Sequence, residues 1–183
     1  MLYVGVDEVG RGCIAGPMVV CGVIIDDIIS NDSDLIDSKK ITPRKRLMIC
    51  SKYINTAQFA ISLVSNVDID KFGISKAFEI AINKVKHQLG HNHHYIIDGK
   101  YNIDFAPSHQ FEYKAEDKFK AVALASIIAK EFRDSYMKKL CILSPGYGFS
   151  KHKGYGTIKH RRSISELGYS QWHRKSFKIK INV

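Results

Sequence analysis

The chain has 183 residues, 45% of them hydrophobic, which is enough for the core of one domain and too little for two well-packed ones. Its formal net charge of +10, from 28 lysines and arginines against 18 acidic residues, predicts attraction to nucleic-acid phosphates. No apolar run approaches the roughly 20 residues of a membrane span, and Met1 leads directly into a strand-like segment, so we expect a soluble, cytoplasmic and, by default, monomeric protein.

The first part of the chain is predicted to contain two strands joined by a specialised loop. Residues 2–6 and 17–25 are rich in valine and isoleucine, whereas the segment 8–16 between them is punctuated by glycines. Thr42 and Pro43 fit the N-cap and the first position of a short basic helix.

The middle of the chain alternates strand and helix patterns. Residues 59–64 form a third strand candidate, and apolar residues recur at helical spacing from 74 to 89, where Gly90 ends the pattern. Residues 95–99 form a short apolar strand that ends on a carboxylate and a glycine, and residues 110–113 form another strand candidate.

The last part of the chain is predicted to be helical. Apolar residues at helical spacing from 122 to 140 predict a long amphipathic helix, and a final helix is expected over 157–168. Strands followed by alternating helices and strands, with no internal repeat, predict a single α/β domain over 1–183 with a mixed sheet.

Basic residues concentrate in two segments of the chain. They are Lys39, Lys40, Arg44, Lys45 and Arg46 in the first, and Lys151, Lys153, Lys159, Arg161, Arg162, Arg174, Lys175, Lys178 and Lys180 in the second. One cluster alone is equally typical of a solvated face. Two clusters together with aromatic residues favour a nucleic-acid surface, with about residues 140–183 as a substrate-binding segment.

Three acidic side chains are predicted to stand where strands end. Asp7 and Glu8 follow the first strand and Asp98 ends another, so neighbouring strands would gather the carboxylates at one edge of a sheet. A cation would relieve their repulsion, and hard oxygen ligands suit Mg²⁺ or Mn²⁺, which as a pair can hydrolyse a phosphodiester. Taken alone, acids at strand ends are more often solvated loop tips.

Other metal-binding residue types form weaker patterns. The cysteines lack a C-x-x-C pair or a dense spacing, which favours free and mostly buried thiols; they are Cys13, Cys21, Cys50 and Cys141. His91, His93 and His94 lie in a polar link without cysteine partners, which favours a solvated loop over a metal site.

The glycine-punctuated loop carries a specific family resemblance. Segment 7–12 reads DEVGRG and segment 15–17 reads AGP, which closely resembles the opening motif of the ribonuclease HII family. Further similar segments follow in the family's order at 37–40, 98–99, 125–130, 133–134, 152–157, 160, 173–174 and 176–177. The resemblance implies a ribonuclease H-like fold, a five-stranded mixed sheet flanked by helices, with a helical basic segment at the C-terminus.

The same resemblance implies an activity. The enzyme would hydrolyse the RNA strand of RNA/DNA hybrids and cut on the 5′ side of ribonucleotides embedded in duplex DNA. Its implied catalytic and metal-binding acids are Asp7, Glu8, Asp98 and a fourth residue, which would hold two Mg²⁺ or Mn²⁺ ions that activate water and leave 3′-hydroxyl and 5′-phosphate ends. No obligate protein partner is implied.

The fourth acid departs from the family pattern, which usually has aspartate ten residues before the serine of the Ala-Ser-Ile helix. Glu116 stands ten residues before Ser126, and Asp117 follows it. We favour Glu116, because adjacent side chains in a strand-like approach face opposite ways, and keep Asp117 as the alternative. The longer side chain predicts an altered metal preference or a slower reaction.

Recognition of the ribonucleotide is predicted at the glycine-rich loop. Backbone amides of Gly10, Arg11 and Gly12 could approach a ribose 2′-hydroxyl where side chains would clash. In the family, such a segment acts with a tyrosine, here Tyr155, that packs on the following deoxyribose. Taken alone, the glycines could mark a turn and the tyrosine could be an exposed aromatic.

The remaining predictions concern supporting residues. The candidates for phosphate contacts are Lys39, Lys40, Lys153, His173 and Arg174. Asp134 shares a helix face with Ser126 and Lys130, and we expect it to support the acidic site without touching substrate.

Two other functions are compatible with parts of this pattern. One is a different nuclease of the same fold, such as a junction resolvase, which would share the acids but have no use for ribose detection. The other is a hybrid-binding module in which the change from aspartate to glutamate has disabled the metal site.

Overall fold

The computed structural model describes residues 3–25, 29, 31–101, 103, 105–106 and 108–180. Leu2, with which the predicted first strand begins, and residues 181–183 of the predicted C-terminal segment lie outside these ranges.

The strands form one mixed sheet. They are β1 (Tyr3–Val9), β2 (Met18–Ile24), β3 (Gln58–Val64), β4 (His94–Asp98) and β5 (His109–Glu112). Their order across the sheet is β3-β2-β1-β4-β5. The pairs β1–β2 and β2–β3 are antiparallel, and the pairs β1–β4 and β4–β5 are parallel. The predicted five-stranded mixed sheet is therefore confirmed.

Helices lie on both faces of this sheet. Those of the described residues are α1 (Pro43–Tyr53), α2 (Asn66–Phe72), α3 (Ile74–Leu89), α4 (Lys120–Leu143), α5 (Phe149–His152) and α6 (Ile158–Leu167), with a 3₁₀ helix at Ala115–Asp117. The predicted helices over 74–89, 122–140 and 157–168 are confirmed to within a few residues. Thr42 caps α1 as expected, since its side chain accepts a hydrogen bond from the amide of Lys45.

Two short helices, α2 and α5, were not predicted from the sequence. Each is shorter than the window of roughly 11 residues over which the helical spacing of apolar residues can be recognised. For α2 a local signal existed: Ser65 is its N-cap and accepts a hydrogen bond from the amide of Asp68, three residues on. For α5 no such N-terminal signal exists, because its N-cap residue is Gly148, which has no side chain to cap the helix.

The core is divided between the two faces of the sheet. Along β2 successive side chains alternate, so that Val20 packs with α3 residues on one face and Cys21 packs with α4 residues on the other. Every residue of β2 is consequently buried. This explains why the segment reads as a continuous apolar run instead of an alternating one.

The long helix α4 lies directly against β1. A Cβ atom on Gly5 would lie 2.3 Å from the amide nitrogen of Val122, so only glycine allows this approach. The close contact sets the position of the next turn of α4 and brings Ser126 beside Asp7.

The C-terminal part of the chain packs against the end of α4 and the loop after β1. Ala15, Met137, Leu140 and Phe149 form a small apolar cluster there, and Ala15 forms an isolated antiparallel bridge with His173. Among the described residues, no helix has both the length and the apolar character that crossing a bilayer requires.

Candidate active site

The register of β1 and β4 places two acidic residues side by side. The last residue pair in their parallel ladder is Val6 with Ile97, and the next residues along the two strands are Asp7 and Asp98. The sequence placed Asp7 and Glu8 after the first strand, which is wrong in detail. The strand continues to Val9, and both acids remain paired with β2.

Asp7 is nearly buried on the α4 face of the sheet. Its Oδ1 accepts a 2.7 Å hydrogen bond from the Glu8 amide, and its carboxyl group also interacts with the hydroxyl of Ser126. Burial, and then the charge of Glu8, raise the pKa of Asp7 well above its usual range. A cation bound beside Asp7 would therefore strongly stabilise the ionised form of its carboxyl group.

Glu8 emerges on the opposite face of β1. Burial raises its pKa to about 7, against the opposing influence of the Tyr101 hydroxyl and of the positive charge on Arg11. Asp98 adds repulsion to both Asp7 and Glu8. The two neighbouring acids of β1 thus approach the edge of the sheet from different sides.

Glu116 is the acid that the turn after β5 directs toward Asp98. The amide of Ala115 donates a 2.8 Å hydrogen bond to Asp98 Oδ1, and the Glu116 carboxyl group lies close enough to Asp98 for that acid to raise its pKa. Glu116 is buried, and its Oε2 atom has no hydrogen-bond partner. Burial is the main cause of its raised pKa.

Asp117 points away from the acids. It is exposed and forms an ion pair with Lys40, which lowers the pKa of Asp117. The two neighbours do face different directions, but the expected strand-like approach is wrong. The segment is a 3₁₀ turn, entered through Lys114 in the left-handed conformation (φ 56°).

The donor set of the four acids is suited to a hard cation such as Mg²⁺ or Mn²⁺, because every ligand atom is a carboxylate oxygen. The orphaned Oε2 atom of Glu116 is the strongest local sign, since a buried carboxylate oxygen normally has a partner. Among the described residues, no three His, Cys, Asp or Glu side chains stand in the arrangement of a ready-made metal site. The acids share one edge of the sheet, and binding a cation would require side-chain adjustment.

The Gly-Arg-Gly loop follows Asp7 and Glu8 in the chain. Two buried arginines, Arg174 and Arg133, bind it and the adjoining segment from the interior of the protein. Arg174 donates to the carbonyl oxygens of Gly10 (2.7 Å), Arg11 (2.8 Å) and Gly16 (3.0 Å). Arg133 donates to three further carbonyl oxygens, those of Ala15, Pro17 and Lys153. The two arginines thus bind carbonyl oxygens on the buried side of the loop, and the loop amides of Cys13, Ile14 and Gly16 also form backbone hydrogen bonds.

Gly10 is required by this packing. Its φ is +89°, and a Cβ atom there would lie 2.1 Å from Nε of Arg133. Gly12 differs, since its φ is not in the left-handed region and a Cβ atom would have no neighbour within 4 Å. The two glycines of the motif therefore have different physical roles.

Tyr155 is brought to the same loop by the C-terminal segment. The amide of Ile14 donates a 2.9 Å hydrogen bond to the carbonyl of Gly154, and the Tyr155 hydroxyl interacts with the thiol of Cys13. A Cβ atom on Gly154 would lie 2.3 Å from the carbonyl oxygen of Ala15, so this close docking depends on glycine. The Tyr155 side chain remains 43% exposed, which leaves it accessible to a ligand.

Comparison with known proteins shows which family this chain is similar to in sequence. A family model described as Ribonuclease HII matches residues 4–180. A ribonuclease HII of Pseudothermotoga lettingae is 38% identical over 175 residues, which cover 95% of this chain and 76% of that protein. A ribonuclease HII of Campylobacter concisus is 39% identical over 176 residues, covering 96% and 92%.

The chain belongs to the ribonuclease HII family. It is accordingly a metal-dependent endoribonuclease that degrades RNA in RNA/DNA hybrids, as members of this family are.

Solved structures show the same fold at lower identity. The ribonuclease HII of Archaeoglobus fulgidus, in a complex with PCNA, superposes with a TM-score of 0.82 at 22% identity, covering 98% of this chain and 96% of that one. A structure described as Bst-RNase HIII in complex with Mn²⁺ has a TM-score of 0.74 at 21% identity, covering 97% and 67%.

The structure of this ribonuclease HII family member separates the basic residues that sequence analysis had grouped together. Lys39 is exposed and lines a cavity of about 340 Å³ together with Asp98 and Glu116. Arg174 and His173 are buried, so their prediction as phosphate contacts is wrong for this conformation. Lys40 is paired with Asp117.

The side chains of Lys153 and Asp134 form hydrogen bonds with residues that surround the acidic site. The Lys153 ammonium group donates to the carbonyl oxygen of Ser150. Asp134 accepts from Lys130 at 2.8 Å and from Arg46 at 3.4 Å. Arg46 in turn donates to the carbonyl oxygen of Ser38, which precedes Lys39. Asp134 is therefore linked, through Arg46, to the loop at 37–41 that carries Lys39 beside the cleft.

Three residues that contact the proposed site were given no role on the basis of the sequence. Tyr101 interacts with Glu8 and Arg11, and no motif marks it. Ser38 forms a 2.8 Å hydrogen bond with Ser126, linking the Lys39 loop to the helix beside Asp7. Arg133 was noted only as part of a family motif, although its place on the buried face of an amphipathic helix was a usable signal.

Proposed function

We propose that this ribonuclease HII family member cuts on the 5′ side of single ribonucleotides embedded in duplex DNA, in addition to degrading the RNA of hybrids. The observation that carries the proposal is the docking of Tyr155 beside the Gly-Arg-Gly loop, through the Ile14–Gly154 hydrogen bond and the contact with Cys13. This loop follows directly after Asp7 and Glu8 in the chain. A ribose detector is useful only if it lies beside the phosphate to be cut.

The residues that would hold the cation are Asp7, Glu8, Asp98 and Glu116. Their burial and mutual repulsion favour a divalent ion, and we propose two Mg²⁺ or Mn²⁺ ions. When bound, such ions supply Lewis-acid polarisation of the phosphate and ease deprotonation of the attacking water. The structure of Bst-RNase HIII, which has the same fold, is described in complex with Mn²⁺, and this supports the choice of ion by analogy.

The other residues would position the duplex. Backbone amides at Gly12 approach the 2′-hydroxyl, since nothing lies within 4 Å of its outer face, and the Tyr155 ring packs on the next deoxyribose. Lys39 neutralises a phosphate at the rim of the cleft. Water attacks the phosphorus and the 3′-oxygen of the preceding nucleotide departs, which leaves a 3′-hydroxyl and a 5′-phosphate.

The C-terminal segment, about residues 140–183, would supply the main duplex-binding surface. Exposed lysines on it include Lys151, Lys159, Lys175 and Lys178. Contacts of this kind hold a duplex without reading its bases, and their strength falls as salt rises. Although the Archaeoglobus enzyme is described in a complex with PCNA, we propose no obligate protein partner for this chain.

The decisive experiment uses a DNA duplex that contains one internal ribonucleotide, with Mg²⁺ and Mn²⁺ in parallel. We expect the native chain to release one 3′-hydroxyl product and Glu116→Ala to lose about 100-fold or more in rate. Asp117→Ala is the matched control, because it removes an equally acidic neighbour that faces solvent, and it should stay within about threefold of the native rate.

Each alternative predicts a different result of this experiment. A junction resolvase would cut branched DNA and ignore the ribonucleotide, and a binding module would retain the duplex without cutting it in either metal. Loss of activity in Asp117→Ala with full activity in Glu116→Ala would reverse the ligand assignment. Products that end in 2′,3′-cyclic phosphate would show that water is not the nucleophile.

A further inference from the structure

We propose that Tyr101 is a positioning residue that couples the Arg11 side chain of the Gly-Arg-Gly loop to the acid Glu8, and so contributes to the preference for a ribonucleotide junction. This inference rests on the proposed function. Tyr101 lies beyond the Asp98-Gly99 turn and belongs to neither the acidic set nor the loop motif.

The ring of Tyr101 forms a platform beneath Arg11. The guanidinium carbon of Arg11 lies 4.9 Å from the Tyr101 ring centroid and 5.8 Å from that of Phe78. Phe78 and Tyr101 are themselves stacked, with centroids 4.2 Å apart and an interplanar angle of 21°. Two stacked rings offer a cation a larger apolar and electron-rich surface than one ring does.

Among the residues that the structure describes, Arg11 contacts the two rings and lies close enough to Glu8 for its positive charge to lower the pKa of that acid. None of the ion pairs there includes Arg11, and its Nη1 atom is buried without a hydrogen-bond partner. No carboxylate of the described residues is paired with this guanidinium group, so the faces of the two rings are the contacts that set its position.

The other end of Tyr101 faces the acidic residues. Its hydroxyl group interacts with the Glu8 carboxylate and opposes the rise in the pKa of Glu8. The turn makes room for this placement, because a Cβ atom on Gly99 would lie 2.8 Å from a ring carbon of Tyr101. Phe111 packs edge-on at 5.6 Å and limits movement of the ring on the third side.

One rigid aromatic side chain thus connects two parts of the site. If the ring sets the position of Arg11 and the hydroxyl sets that of Glu8, the two functions can be removed separately. Tyr101→Phe keeps the ring and removes only the hydroxyl. Tyr101→Leu removes both.

The test compares kcat and KM on two substrates, a duplex with one ribonucleotide and a uniform RNA/DNA hybrid. For Tyr101→Phe we expect kcat to fall about tenfold on both substrates, with the ratio between them unchanged. For Tyr101→Leu we expect a further loss of about tenfold in kcat/KM that is confined to the single-ribonucleotide duplex. Phe111→Leu is the matched control, since it removes a ring from the same cluster without touching Arg11.

A double-mutant cycle keeps the result independent of overall stability. If Tyr101 acts through Arg11, the substrate ratio of the Arg11→Ala, Tyr101→Leu double variant should equal that of Arg11→Ala alone. Additive losses, or an equal change of the ratio in Phe111→Leu, would overturn the inference. Failure of the native chain to cut the single-ribonucleotide duplex would instead reject the proposed function, and the two failures are therefore distinct.

Discussion

Arg174 donates a hydrogen bond of 2.7 Å to the carbonyl oxygen of Gly10, a residue that precedes it by 164 positions. Two further bonds from the same guanidinium group reach Arg11 and Gly16. A buried cation that satisfies three backbone carbonyls fixes the loop while leaving its outer face free. The C-terminal segment therefore holds the loop that, in our proposal, detects the ribose.

Replacing Arg174 with lysine should destabilise the protein. An ammonium group cannot satisfy three carbonyls spaced for a guanidinium fork, and each buried acceptor left unpaired costs about 1–3 kcal/mol. We expect the free energy of unfolding to fall by about 2–4 kcal/mol in urea titrations. The exposed neighbour provides the control: Lys175→Gln should change it by less than about 0.5 kcal/mol. Equal stability of the two variants would contradict this account of Arg174.

The two glycines of the motif should respond differently to alanine. Gly10→Ala places a Cβ atom against Arg133 and strains a positive φ, so we expect a loss of several kcal/mol in unfolding free energy, on the order of 3. Gly12→Ala meets no atom and should keep native stability, yet lose about tenfold or more in kcat/KM on the single-ribonucleotide duplex. Full activity of Gly12→Ala would show that the substrate backbone does not approach there.

His160 and His173 should make the protein sensitive to acid. Their Nε2 atoms are 3.0 Å apart, and His160 Nδ1 faces the Tyr155 carbonyl while His173 Nδ1 accepts from the Ser170 amide. These partners specify neutral rings, with the His173 Nε2 proton donated to His160. Burial accordingly lowers the pKa of each to about 4.

The sign of the pH dependence follows from these values. Above the unfolded pKa of about 6.5 the histidines are neutral in both states, and their contribution to stability is complete. As pH falls from about 6.5 to 4, the unfolded chain takes up protons first, so stability should decrease by up to about 3 kcal/mol per histidine. Melting temperatures measured across this pH range test the effect. His160→Gln, which removes one of the two titrating rings, should make the melting temperature depend less on pH.

Divalent cations should stabilise the native chain by relieving repulsion among the acids. Binding at 100 times the dissociation constant adds about 2.7 kcal/mol. Asp7→Asn should raise the melting temperature without metal, because it removes one charge next to Glu8 and Asp98, and should abolish the shift caused by Mn²⁺. Asp117→Asn, which alters an exposed acid, should retain the Mn²⁺ shift. An unchanged shift in Asp7→Asn would remove Asp7 from the proposed ligands.

The sequence alone determined the elements and the family. Valine-rich strands and helices with one apolar face are local patterns, and the predicted five-stranded mixed sheet and long helices are present. The DEVGRG segment was specific enough to indicate ribonuclease HII before any contact was known. The choice of Glu116 over Asp117 followed from spacing, and it remains a prediction that the geometry favours.

Only the tertiary structure decided which side chains meet. Arg174 belongs to a basic cluster in the sequence, yet it is buried against carbonyls of the loop, and Tyr101 carries no motif although it contacts Glu8 and Arg11. The physical reason is that periodicity reports only which face of an element is buried. The partner of a buried guanidinium or hydroxyl group depends on backbone atoms brought together from distant parts of the chain, and no local pattern encodes that pairing.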